Sequence, residues 1–274
     1  MRQITIRTSG LPRYADCGLA WAVENGHVEI EGGGPPASTP LHVAAAIGTG
    51  VHAGAAEALR RKRAGMATDL AHCQARAVAA YHEAVEDAGG SRMMVWDATS
   101  KPSDATQQVR RMLRAWMAYR LDGAHPMMIE DRLTAVIHQG NGLEVYLSGQ
   151  MDAVFMEPGR IVDLKTGGME PAAQVQLGGY RLLCEMVKGG QIDTLAIDYL
   201  PRLPLSKPQT PPQMTYYDPD ACMEAAWTVL NQMIFDLQSG DWLANPRSSL
   251  CSARWCAAHG TAYCPITRTL SRRG

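Results

Sequence analysis

The fold turns on residues 149–180, GQMDAVFMEPGRIVDLKTGGMEPAAQVQLGGY. Met151–Met156 and Arg160–Leu164 are short β-prone runs on either side of Glu157-Pro158-Gly159, a turn signal. Asp163 and Lys165 are two residues apart, so on a strand their side chains share a face. Asp152, in the motif Gly149-x-x-Asp152, lies on the preceding strand, where antiparallel pairing brings its carboxylate beside that of Asp163. Pro171 opens a helix predicted to run to about Val187, with Gln176 and Tyr180 one turn apart on a single face.

Two acids and an amine therefore converge. Packed carboxylates repel each other unless a cation sits between them, and hard oxygen ligands favour Mg²⁺ or Mn²⁺. Such an ion clamps a phosphate, stabilises charge on its oxygens and lowers the pKa of a bound water. Lys165 then either orients or deprotonates that water, or neutralises the transition state as a point charge. Hydrolysis of a phosphodiester suits this trio. The competing reading is an exposed acid–base pair on a sheet face, which is common.

Working outward, Met127–His138 and Leu143–Leu147 flank Gln139-Gly140-Asn141-Gly142, a hairpin signal, and a three- or four-strand antiparallel meander follows. Ile192–Leu200 is an apolar run expected to join the same sheet, and proline-rich Pro201–Gln213 is expected at the surface or an edge. Asp218–Leu237 is the last long helix. The first third reads as helical: Pro12–Glu24, Leu41–Arg63, Asp69–Ala88 and a helix from about Ser103 to Leu121 capped by Ser103 or Asp104, with a Gly/Pro-rich loop over Glu31–Pro40. The expected organisation is a helical subdomain over residues 1–125, a catalytic core over 126–240 and a cysteine-bearing tail over 241–274 that packs back near residue 17.

Composition narrows the classes. The chain has 274 residues, 46% hydrophobic and 19% charged, ample for a core. Its 26 basic and 27 acidic residues leave no overall basic excess, so nucleic-acid binding must use local patches. Arg60-Arg61-Lys62-Arg63 and Arg110-Arg111 with Arg114 are the best of these, either lining a DNA track or forming solvated helix faces. Leu41–Leu59 is too weakly apolar to span a bilayer, and no basic segment followed by an apolar run opens the sequence. A cytoplasmic protein without membrane contact is expected.

The order of hairpin, Gly-x-x-Asp, turn, Ile161-Val162-Asp163-Leu164-Lys165 and a glutamine-led helix resembles the PD-(D/E)xK nuclease superfamily, specifically its RecB-like branch of recombination nucleases and phage exonucleases. The resemblance implies an α/β (α+β) fold with a restriction-endonuclease-like core, a mixed central sheet flanked by helices. It implies a Mg²⁺- or Mn²⁺-dependent exonuclease acting on single- or double-stranded DNA in recombination, repair or phage DNA processing, with recombination or phage replication proteins as partners. Gln176 would support the lysine and Tyr180 help to place the DNA backbone. The branch also carries a metal-binding histidine in an N-terminal helix, which Gly48-Thr49-Gly50-Val51-His52 resembles. The implied metal site is His52, Asp152, Asp163 and the backbone carbonyl of Leu164. Glu130 is either a further ligand or one partner of Arg132. A catalytically silent DNA-binding subunit, or a nuclease for RNA or branched DNA, are the alternatives.

Of the seven cysteines, Cys73, Cys184 and Cys222 read as small core residues. Cys251-x4-Cys256-x7-Cys264 brings three soft ligands together and implies a metal centre lacking one ligand, which Cys17 could supply. One cysteine before the core and three after it resembles the iron–sulfur staple of several RecB-like nucleases, which implies a [4Fe-4S] cluster tying the chain ends together. The spacing departs from the tighter family pattern. Zn²⁺, with His259 in place of Cys17, therefore stays open, as do three unligated thiols. Trp255 and Tyr263 are expected to cover the centre.

Overall fold

Strand β3 (Leu143–Met156) runs through the middle of the molecule, and the other strands are placed relative to it. Leu143, Val145 and Leu147 alternate with Glu144, Tyr146 and Ser148, so one face of the strand joins an apolar core. β2 (Met128–Gly140) runs antiparallel to β3 through the turn Asn141-Gly142, whose φ angles of 50° and 75° are the left-handed pair that a two-residue hairpin requires. The computed structural model describes residues 1–28, 40–156, 159–168 and 173–267.

On its other edge, β3 pairs in parallel with β1 (Arg2–Arg7) over Leu143–Ser148, then antiparallel with β4 (Gly159–Gly167) over Ala153–Met156. β4 pairs in parallel with β5 (Thr194–Pro201), and β5 antiparallel with β6 (Gln213–Tyr217). The sheet is thus mixed and six-stranded. Residues 149–152 of β3 have no strand partner on the edge between β1 and β4, and β4 beyond Val162 pairs only with β5. The sheet forks here, and a fork leaves side chains and backbone groups free for other work.

Helices cover both faces. α1 (Leu11–Asp16), α2 (Gly18–Glu24), α6 (Gln174–Lys188) and α7 (Pro219–Ser239) share one core with Ile6, Leu147, Met151, Ile161 and Leu195. α3 (Val43–Arg63), α4 (Leu70–Asp87) and α5 (Ala105–Arg120) share the other with Ile129, Ala153, Leu164 and Leu200. Each such buried Leu or Ile contributes about 1.5–3 kcal/mol. Asp69 and Asp218 cap α4 and α7, and α6 ends at Gly189 with φ 69°. A Cβ at Gly48 would lie 2.8 Å from Thr166 Oγ1, so glycine there lets α3 lie directly against β4 and carries His52 over the fork.

The structure departs from the sequence expectations at identifiable places. Arg2–Arg7 is a strand where a helical region was expected, and α1 and α2 pack on the sheet. The division at residue 125 therefore does not separate a helical subdomain from the core: helices α3–α5 form one layer of it. The expected helix Pro12–Glu24 breaks at Cys17 (φ −156°, ψ 100°), where the C-terminal segment takes over its hydrogen bonds: Leu19 N–H donates to Leu243 and Asn245 Nδ2 to Asp16. Residues 143–156 form one strand rather than two, because pairing with Arg132, Leu133 and Thr134 carries β3 through Gly149. β6 was not expected, since the prolines before it obscure a short edge strand. Asp104 precedes α5 without a side-chain cap. The expected loop at Glu31–Pro40 (31–39), the turn at 157–158 and the helix start at Pro171 lie outside the described residues. Among the described residues no helix is long and apolar enough to cross a membrane.

Candidate active site

The fork gathers side chains from five elements. Asp152 sits where β3 and β4 part, and its Oδ2 accepts a hydrogen bond from Leu164 N–H at 2.7 Å, replacing the ladder bond that the split removes. Its Oδ1 lies 3.0 Å from His52 Nδ1 on α3. Glu130 on β2 lies 3.7 Å from the same nitrogen and accepts from Gln150 Nε2 at 2.6 Å. Glu130 has φ 55°, a left-handed conformation that costs a residue with a Cβ about 1–3 kcal/mol. That local twist interrupts the β2–β3 ladder opposite Asp152 and turns the carboxylate toward His52. Among the described residues, His52, Glu130 and Asp152 alone form a group of three whose ligand atoms all lie within 4.8 Å of one another.

Asp163 is 3% exposed. Its Oδ2 is 2.8 Å from Lys165 Nζ, an ion pair between a buried carboxylate and a partly exposed ammonium. Burial, then the charge of Asp152, pushes Asp163 up to about 6, against the pull of Lys165. Burial alone would lower His52, but Asp152 and Glu130 carry it to about 10, so the imidazole is protonated without a metal. Burial works the other way on Glu130 and would raise it; His52 and Gln150 hold it below the usual carboxylate range. Lys165 Nζ donates to Gln176 Oε1 at 3.1 Å, and Gln176 Nε2 donates to the Tyr180 phenol at 2.7 Å. This chain runs along the buried face of α6, where Gln176 and Tyr180 are one turn apart.

A histidine between two acids, beside a third carboxylate that is buried and repelled by Asp152, is a donor set suited to a divalent cation. His52, Glu130 and Asp152 would hold it, with Asp163 next to them, and it would supply positive charge for a phosphoryl group undergoing attack. Of the residues expected at the metal, His52, Asp152 and Glu130 form this group, and Asp163 lies beside it, close enough for the charge of Asp152 to act on it. Leu164 meets the site through its N–H, which binds Asp152. The site opens into a cleft of about 610 Å³ bordered by Thr49, His52, Arg60, Arg76, Gln150 and Lys165.

These observations agree with a comparison against known families. A family model described as the PD-(D/E)XK nuclease superfamily matches residues 8–265. The chain belongs to that superfamily. A solved structure named "Putative exonuclease" from Eubacterium rectale superposes with a TM-score of 0.53 at 13% identity, covering 97% of this chain and 87% of the other, which shows a shared fold. A second, SSO0001, reaches a TM-score of 0.39 at 13% identity over 91% and 95% of the two chains. No curated protein matches the sequence.

In this member of the superfamily the basic run on α3 has mostly structural contacts. Arg61 donates to the carbonyl of Ala67, Lys62 to that of Leu121 and Arg63 to that of Met127, while Arg60 lines the cleft and reaches Ile129 O at 3.5 Å. Arg111 donates to the carbonyls of Leu203, Pro204 and Lys207, whereas Arg110 and Arg114 are exposed on α5. Tyr180 is 4% exposed and holds Gln176 in place. Sequence reasoning missed Arg76 and Gln150 in the cleft, which carry no motif. It also missed the strain at Glu130, which no local pattern announces.

Cys17, Cys251, Cys256 and Cys264 line one separate cavity, together with Arg13 and His259. None is in a disulfide. Burial, then the neighbouring thiols of Cys256, Cys264 and Cys17, raises Cys251. The break at Cys17 is what turns its sulfur to this cavity, where it accepts from Asn245 N–H at 3.4 Å.

Proposed function

We propose that the nuclease is a Mg²⁺- or Mn²⁺-dependent DNA exonuclease of the RecB-like kind, acting in recombination, repair or phage DNA processing. The observation that carries this reading is the joining of His52, Glu130 and Asp152 to Asp163, Lys165 and Gln176 across one fork of the sheet. Lys165 is held by Asp163 and Gln176 so that its ammonium faces the cleft, where it neutralises charge gathering on a phosphoryl oxygen. Gln176, anchored by Tyr180, fixes that ammonium in place. Incubating end-blocked single- and double-stranded DNA with Mg²⁺ or Mn²⁺ tests the reading and reports direction together with activity. Lys165→Ala and Asp163→Ala are expected to lose about 10²–10³-fold in rate. Equal product from wild type and both variants would remove the site assignment, and no product from any substrate would favour a silent subunit.

The four-cysteine centre is proposed to hold a [4Fe-4S] cluster. What supports the cluster is the donor set: four thiols around one cavity with no carboxylate among its described lining residues. A brown anaerobic preparation whose visible absorbance disappears in Cys256→Ser is expected. A colourless protein with one zinc per chain would overturn the choice.

A further inference from the structure

Beside the fork, on the far side of Gln150 from the cleft, lies a second pocket of about 210 Å³. It occupies the sheet edge that β1 vacates after Arg7, and Arg7, Ser9, Arg132, Ser148, Gln150 and Tyr180 line it. No acidic residue does. The pairing register explains the grouping: Arg7 lies beside Ser148, Ser148 beside Thr134, and Gln150 beside Arg132, so their side chains share a face.

Two features mark this pocket as built for an anion. Among the described residues neither Arg7 nor Arg132 has an ion pair, while Arg13, Arg120, Arg181 and Arg202 each have a carboxylate partner. Among the described residues the Arg132 side chain hydrogen-bonds only the neutral amide of Gln150, at 2.9 Å. Ser148, only 4% exposed, accepts from Thr134 Oγ1 at 3.1 Å and so keeps its own proton to donate. Two guanidinium forks and a half-satisfied hydroxyl match an anion with several acceptor oxygens better than a single carboxylate. The pocket adjoins the catalytic group through shared residues: Gln150 also borders the cleft, and Tyr180 holds Gln176.

We infer that this pocket is a phosphate-binding subsite, in which Arg7, Arg132 and Ser148 take a phosphate group of the nucleic-acid strand next to the one being cut. It rests on the nuclease reading and adds a determinant of how the strand is seated. The bound group is either a terminal phosphomonoester or an internal phosphodiester, and the two have the same recognition chemistry.

The test is fluorescence anisotropy of labelled (dT)₈ in EDTA, with phosphate or hydroxyl at the 5′ or 3′ end, and with inorganic phosphate as competitor. Arg7→Gln and Arg132→Gln are both at exposed positions and are expected to fold. Each is expected to weaken binding about tenfold and to lower the salt slope by about one. Loss confined to one phosphorylated end identifies a terminal phosphate; equal loss for every oligonucleotide identifies an internal one. Affinities within twofold of wild type in both variants, or no binding by wild type, overturn the subsite. Because the measurement needs no cleavage, a wild type that binds in this way yet forms no product with Mg²⁺ or Mn²⁺ sinks the nuclease reading alone.

Discussion

Histidine 52 is the residue whose chemistry changes most between sequence and fold. On an apolar, alanine-rich helix it has no local reason to be charged, yet Asp152 and Glu130 keep its proton on to about pH 10. An ion that takes Nδ1 must displace that proton, so affinity rises with pH below the folded-state value. Mn²⁺ affinity of wild type is expected to increase about tenfold per pH unit between pH 7 and 8.5, above the range where Asp163 titrates. In His52→Asn the slope is expected to be nearly flat. Isothermal titration across that range checks this, and a pH-independent wild-type affinity would contradict it. Asp163 and Lys165 were readable because residues two apart on a strand share a face. Glu130 was ambiguous because its role depends on a left-handed φ that no neighbour in sequence dictates.

At the scale of elements, close approach decides positions that pattern cannot. Gly149 of the Gly-x-x-Asp motif faces Thr8 Oγ1 and Leu183 Cδ1, and a Cβ there would lie 2.8 and 2.9 Å from them. Gly149→Ala is expected to cost roughly 1–3 kcal/mol and lower the melting temperature by several degrees. An unchanged melting curve would show that Thr8 and its neighbours yield more easily than their packing suggests. Asp198 on β5 is 2% exposed and is met by Trp116 Nε1 and Arg120 Nε, both at 2.9 Å, which ties α5 to the sheet. Arg120→Ala leaves that buried acid half-satisfied and is expected to cost roughly 3 kcal/mol, measured by urea denaturation. The hairpin β2–β3, the crossover helix α6 and the last helix α7 were all legible, since periodicity and turn chemistry are local. β1 was not, because a six-residue strand is recognised by its parallel partner some 140 residues away.

For the whole molecule, three layers and a returning tail set the logic. The tail packs Ala258 and Cys264 against Leu19 and Val23 of α2, and Arg254 and Trp255 reach His42 at the start of α3. If a centre at the four cysteines holds this tail, Cys256→Ser should expose residues 245–264 to limited proteolysis while the three-layer body persists. Equal digestion of wild type and variant would mean that packing alone fixes the tail. The sequence by itself determined the β-hairpin, the Asp163–Lys165 pair, the Gln176–Tyr180 face and the existence of a soft-ligand cluster, because each is set by spacing along one or two neighbouring elements. The motif order already pointed to His52, 100 residues from Asp152, as its companion; tertiary structure decided between the two readings of Glu130 by bringing it into the same group. It also decided that most of the basic run on α3 binds backbone carbonyls and that Arg7 and Arg132 share a pocket. Those outcomes depend on where the sheet forks and which helix lies over the opening, and such long-range packing leaves no periodic trace in the chain.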